Sequence, residues 1–594
     1  MDEDIGCLNL RWSLALLDGL IQGGLRQLVL SPGSRSTPVV LAAQQRPELS
    51  LTPILDERSA AFFALGLARA SGAPIGLLAT SGSAPAHWYP AVIEAAHWGL
   101  ALVLLSADRP PLSRNTGASQ TIDQTRLFGA FVREFHDIGL PHADANSLKA
   151  VRALGLHMLL RNRGRRAGPL HINLPFKEPL IPAGDCLPGE PQAQALQWPF
   201  LLGTPKATKH PPGLSNQDRN QASIEPPSGR GLILCGPASA GDAKDARALL
   251  ACAARLGLPL LADPLSGVRF PCPPDQPLAE PPDETLQACV IRHYDALLRN
   301  TDVANALKPD WILRFGLAPV SKSLGQWLAG IPSWVVNTGE HWCDPNQDAC
   351  GLIQATPEEL ASTLASGPVS RQPDADWINL WHLAEEQIQT LANTHLKKGS
   401  WCEAQFIQQL LQAIPPGEGL LCANSLPIRQ LDTWSYSRQE PLWLFGNRGV
   451  SGIDGQLSTL AGLNAAGTPT WGLLGDLSFC HDLSGLLLVG ELQRPVVVIN
   501  NGGGRIFDYL PQRGLADFER YWRTPVTPDL GALARSFGLA HQLVRNAHDA
   551  TEALSGPLTP RLIEVQIDAE HSRHFHLGFW QAVARTPVSG QPAP

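Results

Sequence analysis

The stretch Gly475–Phe507, GDLSFCHDLSGLLLVGELQRPVVVINNGGGRIF, constrains the fold more than any other part of the chain. An apolar run, Trp471–Leu474, stops at Gly475-Asp476, and a second, Pro495–Ile499, stops at Asn500-Asn501-Gly502-Gly503. Between them Leu483–Leu492 carries its apolar residues at helical spacing. Strand, helix and strand in that order predict a right-handed βαβ crossover. Two parallel neighbouring strands would deliver Asp476 and Asn501 to one carboxyl edge of a sheet, where open α/β folds bind ligands.

The side chains at that edge have a definite chemistry. A hard divalent cation such as Mg²⁺ takes oxygen ligands, one or two from protein and the rest from phosphates and water. Asp476 offers a carboxylate, Asn501 an amide oxygen, and the flexible Gly502–Gly504 backbone a carbonyl. Ser478 and neighbouring N–H groups lie ahead of the predicted helix, where a phosphate is favoured. An ordinary βα turn with the aspartate as helix cap would read the same way from this stretch alone. Gly-Asp, a spacer and Asn-Asn resemble the diphosphate-and-metal motif of thiamine diphosphate enzymes. The resemblance implies Mg²⁺ or Mn²⁺ held by Asp476, the Asn501 side chain and the Gly503 carbonyl. It also implies thiamine diphosphate contacts from Gly475, Leu477, Ser478, Ile506 and Phe507.

The remaining chain reads as α/β throughout, in three doubly wound parallel-sheet units. Residues 1–185 alternate strands (Gln27–Leu30, Leu49–Leu55, Ile75–Ala79, Leu100–Leu105) with helices, including Ser59–Ala70 ended by Gly72. Residues 186–230 are rich in Pro, Gln, Ser and Gly and read as a linker. A central Rossmann-like unit, 231–370, has strands at Gly231–Leu234, Leu258–Ala262, Trp311–Phe315 and Ser333–Asn337, with a surface loop at Pro271–Pro282. Its Cys235-Gly236-Pro237 is not a dinucleotide fingerprint, so no dinucleotide is expected there. A linker or helix covers 371–400. The third unit, 401–582, opens with a helix near Trp401–Ile414 and shares the rhythm of the first; residues 583–594 read as a disordered tail.

Glu57 stands at a strand end before an apolar helix, in Asp56-Glu57-Arg58-Ser59-Ala60-Ala61. A first-turn acid is often there for the helix dipole alone. Resemblance to the thiamine diphosphate superfamily implies more: this carboxylate hydrogen-bonds N1′ of the aminopyrimidine, so that the 4′-nitrogen can remove the thiazolium C2 proton. Ile453, in Gly446-Asn-Arg-Gly-Val-Ser-Gly-Ile-Asp-Gly-Gln456, takes by resemblance the place beneath the bent cofactor. The superfamily brings its glutamate and metal loop together across a subunit interface, implying a homodimer or dimer of dimers. The implied units are a pyrimidine-binding, a central and a diphosphate-binding domain.

A closer resemblance follows from stretches that run in family order: Ser31-Pro-Gly-Ser-Arg-Ser-Thr-Pro38, Asp56-Glu-Arg-Ser-Ala-Ala-Phe-Phe63, Ala79-Thr-Ser-Gly-Ser83, Ala107-Asp-Arg-Pro110, Gly117-Ala-Ser-Gln-Thr-Ile-Asp-Gln124, Asn424-Ser-Leu-Pro-Ile-Arg429 and Asn447-Arg-Gly-Val-Ser-Gly-Ile-Asp-Gly455. Together they resemble the 2-succinyl-5-enolpyruvyl-6-hydroxy-3-cyclohexene-1-carboxylate synthases over nearly the whole chain. The resemblance implies decarboxylation of 2-oxoglutarate and 1,4-addition of the succinic-semialdehyde carbanion to isochorismate, an early step toward menaquinone or phylloquinone. Both substrates are dianions, and planar arginine forks suit carboxylates. By resemblance Ser425, Arg429 and Arg448 hold the distal carboxylate from 2-oxoglutarate, while Arg35, Arg109, Gln120 and Lys322 face isochorismate. Ser119 and Ser323 depart from the asparagine and arginine that can occur beside Gln120 and Lys322. His481 reads as structural.

Bulk properties narrow the class. A net charge of −8 argues against a general nucleic-acid or anionic-membrane binder. No apolar run is long enough for a bilayer span, and the acidic start MDEDIGCLNL lacks a signal-peptide core. Eleven scattered cysteines without a Cys-x-x-Cys pair suit a reducing cytoplasm and free, mostly buried thiols. Two other readings stay open: another thiamine diphosphate enzyme of the acetolactate synthase or 2-oxoacid decarboxylase kind, and a non-catalytic binding protein on the same fold.

Overall fold

The computed structural model describes residues 4–162, 167–184, 186, 227–270, 289–337, 343–366, 374–435, 438 and 440–587. The Pro271–Pro282 loop and most of the 186–230 linker lie outside them. Among the described residues the strands form three six-stranded sheets, and every pairing is parallel. Sheet one contains β1 (Gln27–Leu30), β2 (Ser50–Pro53), β3 (Ile75–Ala79), β4 (Leu102–Asp108), β5 (Glu134–Asp137) and β6 (Leu170–Pro175). Sheet two contains β7 (Gly231–Cys235), β8 (Leu260–Ala262), β9 (Val290–Ile291), β10 (Trp311–Phe315), β11 (Ser333–Val336) and β12 (Ala349–Ile353). Sheet three contains β13 (Gly419–Cys422), β14 (Trp443–Phe445), β15 (Thr470–Gly475), β16 (Val496–Asn500), β17 (Ala540–Val544) and β18 (Arg561–Gln566). Helices cover both faces of such sheets, so inner strands such as β3 and β4 are buried along their length and mostly apolar.

Sheet one runs β2-β1-β3-β4-β6-β5 and sheet three β14-β13-β15-β16-β18-β17, the same permutation. Sheet two runs β12-β11-β10-β7-β8-β9, the order of a doubly wound dinucleotide fold. Each sheet reverses its winding between β1 and β3, β7 and β10, or β13 and β15. Loops leaving those strands flank the crevice where such folds take ligands.

The crossover at the third sheet is present, with β15 and β16 neighbours in register from Gly472↔Val496 to Gly475↔Ile499. Its helical part differs from the sequence reading. An α-helix, Asp476–His481, starts at the strand end, and Leu483–Glu491 is 3-10 helix with a kink at Leu488. Ser478 therefore sits inside the first turn of a helix and not ahead of it. Asp482 fixes the break: its buried carboxylate accepts Ser458 N at 2.8 Å and Ser458 Oγ at 3.2 Å.

The cores cross unit boundaries. One joins residues of sheets one and three, such as Leu77 and Leu474, and another joins sheets two and three through Trp377, Trp381 and Trp471. Helices Glu57–Ser71 and Gln456–Ala465 touch backbone to backbone: a Cβ on Gly66 would meet Thr459 O at 2.2 Å, and one on Gly462 would meet Phe63 O at 2.1 Å. Two expectations need correction. The last helix, Ala569–Ala584, takes in the first residues assigned to the tail. Cys7 and Cys186 form a disulfide, with Cα atoms 5.5 Å apart, because the segment leaving the first unit returns beside the first helix, where Ala183 N donates to Asp4 Oδ2 at 2.9 Å. The other eight described cysteines are free. Among the described residues no helix is long and apolar enough to cross a membrane.

Candidate active site

The carboxyl edge of sheet three gathers four loops. Asp476, 2% exposed, accepts Leu477 N at 2.7 Å on one oxygen and Gly502 N and Gly503 N at 2.9 and 2.8 Å on the other. The β15 and β16 loops are thus joined through this carboxylate, as the crossover requires. Burial raises its pKa, and the backbone donors of Gly503, Leu477 and Gly502 oppose that rise. Gly502 and Gly503 have φ of +80° and +119°, and a Cβ on Gly503 would strike Arg523 O at 2.5 Å. Asn501 is half-buried. Among the described residues no hydrogen bond engages its side chain. Gly503 O accepts Arg505 N at 2.8 Å. Gly475, Leu477, Ile506 and Phe507 surround this loop and are half-buried, while Ser478 is buried.

Beyond β13, Ser425 holds φ +74°, a conformation costly for any residue but glycine. Its carbonyl accepts Arg429 Nη1 at 2.6 Å. Beyond β14, Arg448 Nη1 donates to Asn424 Oδ1 at 3.1 Å. Asn424 also donates to the Asn447 and Gly452 carbonyls, closing the loop that carries Arg448 and half-buried Ile453. Among the described residues no carboxylate forms an ion pair with Arg429 or Arg448. Burial lowers the pKa of both; Arg448 adds to that of Arg429, and Asp263 and Glu94 oppose that of Arg448.

The carboxyl edge of sheet one carries the second set. Arg35, 4% exposed, takes its backbone N–H to Thr80 Oγ1 at 3.1 Å, Nη1 to Phe176 O at 3.0 Å and Nη2 to Glu178 Oε1 at 2.6 Å. Arg109 Nη1 reaches the same Glu178 oxygen at 3.4 Å. The two arginines therefore converge. Gln120, at φ +52°, is stitched to the β3 loop by Nε2 donation to Ser81 O at 3.2 Å and by Ser81 Oγ donation to its own carbonyl at 3.0 Å. Glu57 is the first residue of its helix and half-buried; Asp56 caps the helix by accepting Ser59 N at 3.0 Å. Arg58 Nη2 donates to His481 O at 3.1 Å, and Ser59 Oγ lies 2.8 Å from Ser484 Oγ. The Glu57 helix thus abuts the end of the Asp476 helix, and His481 contributes its carbonyl.

Lys322 lies in the unit of sheet two, away in sequence from the other residues of its expected group. It is exposed at the start of Lys322–Trp327, beyond β10. Among the described residues no hydrogen bond or ion pair joins it to Arg35, Arg109 or Gln120. Its neighbours Val320 and Ser321 bind Asp263 and Asp295 at 2.8 and 2.6 Å, acids whose charge reaches Arg448 and Arg429. Sequence reasoning did not single out Glu178, Asn424, Glu94 or Gln124. The strand-end position of Glu178 after β6, and the place of Asn424 ahead of Ser425, were the available signals. Gln124 is buried, accepting Gly82 N at 3.0 Å and donating to Ala107 O at 3.2 Å.

Comparison with known proteins decides the family. Residues 11–127 match the thiamine pyrophosphate enzyme N-terminal TPP binding domain, and residues 215–422 the middle domain of thiamine pyrophosphate enzymes. The chain is 37% identical to the 2-succinyl-5-enolpyruvyl-6-hydroxy-3-cyclohexene-1-carboxylate synthase of Geobacillus kaustophilus, over 97% of this chain and 98% of that one. It is 37% identical to the synthase of the same name from Dechloromonas aromatica, over 95% and 99%, and 36% identical to that of Chloroflexus aurantiacus, over 96% of both. The chain belongs to the 2-succinyl-5-enolpyruvyl-6-hydroxy-3-cyclohexene-1-carboxylate synthase family. It is a thiamine diphosphate-dependent enzyme of that synthase family, built on the α/β domains of thiamine diphosphate enzymes.

Proposed function

We propose that the chain decarboxylates 2-oxoglutarate and adds the resulting succinic-semialdehyde carbanion 1,4 to isochorismate, using thiamine diphosphate with Mg²⁺ or Mn²⁺, in the cytoplasm and as a homodimer or dimer of dimers. The observation that carries the substrate class is the pair Arg429 and Arg448, without carboxylate partners among the described residues, beside strained Ser425 at the winding reversal that also presents Asp476. A small neutral acyl group, as in pyruvate, has no use for two such cations.

The donor set fits the cofactor's metal. Asp476 is buried with backbone donors only, and the Asn501 side chain and Gly503 carbonyl stand on the loop it holds. These three would hold the ion, an all-oxygen set suited to a hard cation. When bound, thiamine diphosphate supplies a nucleophilic thiazolium carbon and an electron sink for decarboxylation. Glu57 would share a proton with N1′ of the aminopyrimidine, at a helix N-terminus that favours its anion. Ile453 would support the cofactor's bend. Ser425, Arg429 and Arg448 would orient the distal carboxylate of 2-oxoglutarate; Arg35, Arg109, Gln120 and Lys322 would receive isochorismate. The test is turnover of 2-oxoglutarate against pyruvate, each with and without isochorismate. Product formed only from 2-oxoglutarate plus isochorismate supports the reading; turnover of pyruvate alone defeats it.

A further inference from the structure

We infer that Glu94, with Arg69, is a positioning residue that clamps the loop bearing Arg448 and so sets the affinity for the 2-oxoacid; this rests on the function proposed above. Glu94 lies in the helix Tyr89–Trp98 of the first unit and is 2% exposed. One carboxylate oxygen accepts Trp98 Nε1 at 2.8 Å and Gly449 N at 2.7 Å; the other accepts Val450 N at 2.8 Å. Arg69, in the preceding helix, donates Nη1 to Gly446 O at 2.6 Å, with its guanidinium 3.6 Å over the Trp98 ring. A Cβ on Gly449 would meet His97 Cβ and Trp98 Cδ1, both at 2.9 Å, so the loop backbone lies directly on this helix. Residues 446–450 are therefore gripped at both ends by the first unit, with Arg448 between the grips.

The charge arrangement gives the clamp its function. Glu94 binds the backbone behind Arg448 and forms no ion pair with it, so it supports the cation without occupying the guanidinium fork. Nη1 of Arg448 donates to Asn424 Oδ1, and Nε has no hydrogen-bond partner among the described residues, which leaves the rest of the fork available for a substrate carboxylate. A cavity of about 170 Å³ borders Glu94, Asn447 and Val450, so the loop has room to shift once the grip is lost. Conformational freedom in a binding loop is removed on binding, and affinity falls accordingly.

Glu94→Gln tests the inference. A glutamine can turn an oxygen to only one of the two backbone N–H groups, and its own NH₂ then faces the other. Two readouts are taken on the full-length protein with thiamine diphosphate and Mg²⁺. The first is hydrogen exchange of amides 446–453, expected to be faster by about tenfold or more. The second is kinetics: KM for 2-oxoglutarate is expected to rise about tenfold, with kcat within about threefold and KM for isochorismate unchanged. Unchanged exchange overturns the clamp whatever the substrate. Faster exchange with both KM values raised and kcat lowered together also overturns it, because that is a general structural defect. Should wild type fail to use 2-oxoglutarate, the proposed function falls while the exchange readout still judges the clamp. If Glu94→Gln is insoluble, Arg69→Met decides by the same criteria.

Discussion

Arg448 and Arg429 are the residues whose loss should be most selective. Each is partly desolvated and free of a carboxylate partner among the described residues, so an incoming carboxylate supplies the counter-charge. Arg448→Met should reduce kcat/KM for 2-oxoglutarate about 30-fold or more, the worth of a charge-assisted hydrogen bond of about 2 kcal/mol, and leave KM for isochorismate within about twofold; steady-state kinetics with each substrate varied checks both. Asp482 makes a pH prediction. Burial pushes its carboxyl from 3.8 up to about 6. Between those values the folded protein holds a proton that the unfolded chain has lost, so stability falls as pH rises through this window and is level above it. Relative to Asp482→Asn, wild type should lose about 3 kcal/mol between about pH 4 and 6.5, read from urea-unfolding series on both proteins; parallel curves would refute it. Asp476 and Asn501 were legible because they follow apolar runs at strand ends within one crossover. Glu94 was not, since Gly449 and Val450 lie 355 and 356 residues away.

At the scale of elements, helices Glu57–Ser71 and Gln456–Ala465 seat the first unit on the third through glycines. Gly462→Ala forces a methyl into the Phe63 carbonyl and should cost about 1–3 kcal/mol, seen as a lower melting temperature. Gly325→Ala, helical with open space around its Cβ position, should be neutral or slightly stabilising. The strands were readable from the sequence because parallel, doubly covered strands are short apolar runs ended by polar loops. The helical spacing of Leu483–Leu492 is realised as 3-10 helix over Leu483–Glu491 and not as α-helix. Its apolar spacing is helical, but the break at Asp482 is set by Ser458, a residue of another helix, and local periodicity carries no record of that contact.

For the whole molecule, sheets one and three repeat one strand order, with Glu57 following edge strand β2 on one unit and Asp476 following β15 on the other. If the glutamate and metal loop serve each other between chains, Glu57→Gln and Asp476→Asn proteins, each inactive alone, should regain activity when unfolded together and refolded. A statistical dimer mixture predicts about a quarter of wild-type turnover, because half the dimers are mixed and each mixed dimer has one intact pair. No regain of activity would mean that both groups act within one chain. The sequence by itself determined the α/β class, the crossover that joins Asp476 to the Asn501 loop, and the cationic character of the residues proposed to bind the substrates, because these depend on residue type and on spacing over a few turns of chain. Only the tertiary structure decided that Arg35 and Arg109 meet on Glu178 and that Glu94 grips the Arg448 loop. Each of those depends on groups hundreds of residues apart or on separate loops, which only packed sheets bring within hydrogen-bond reach.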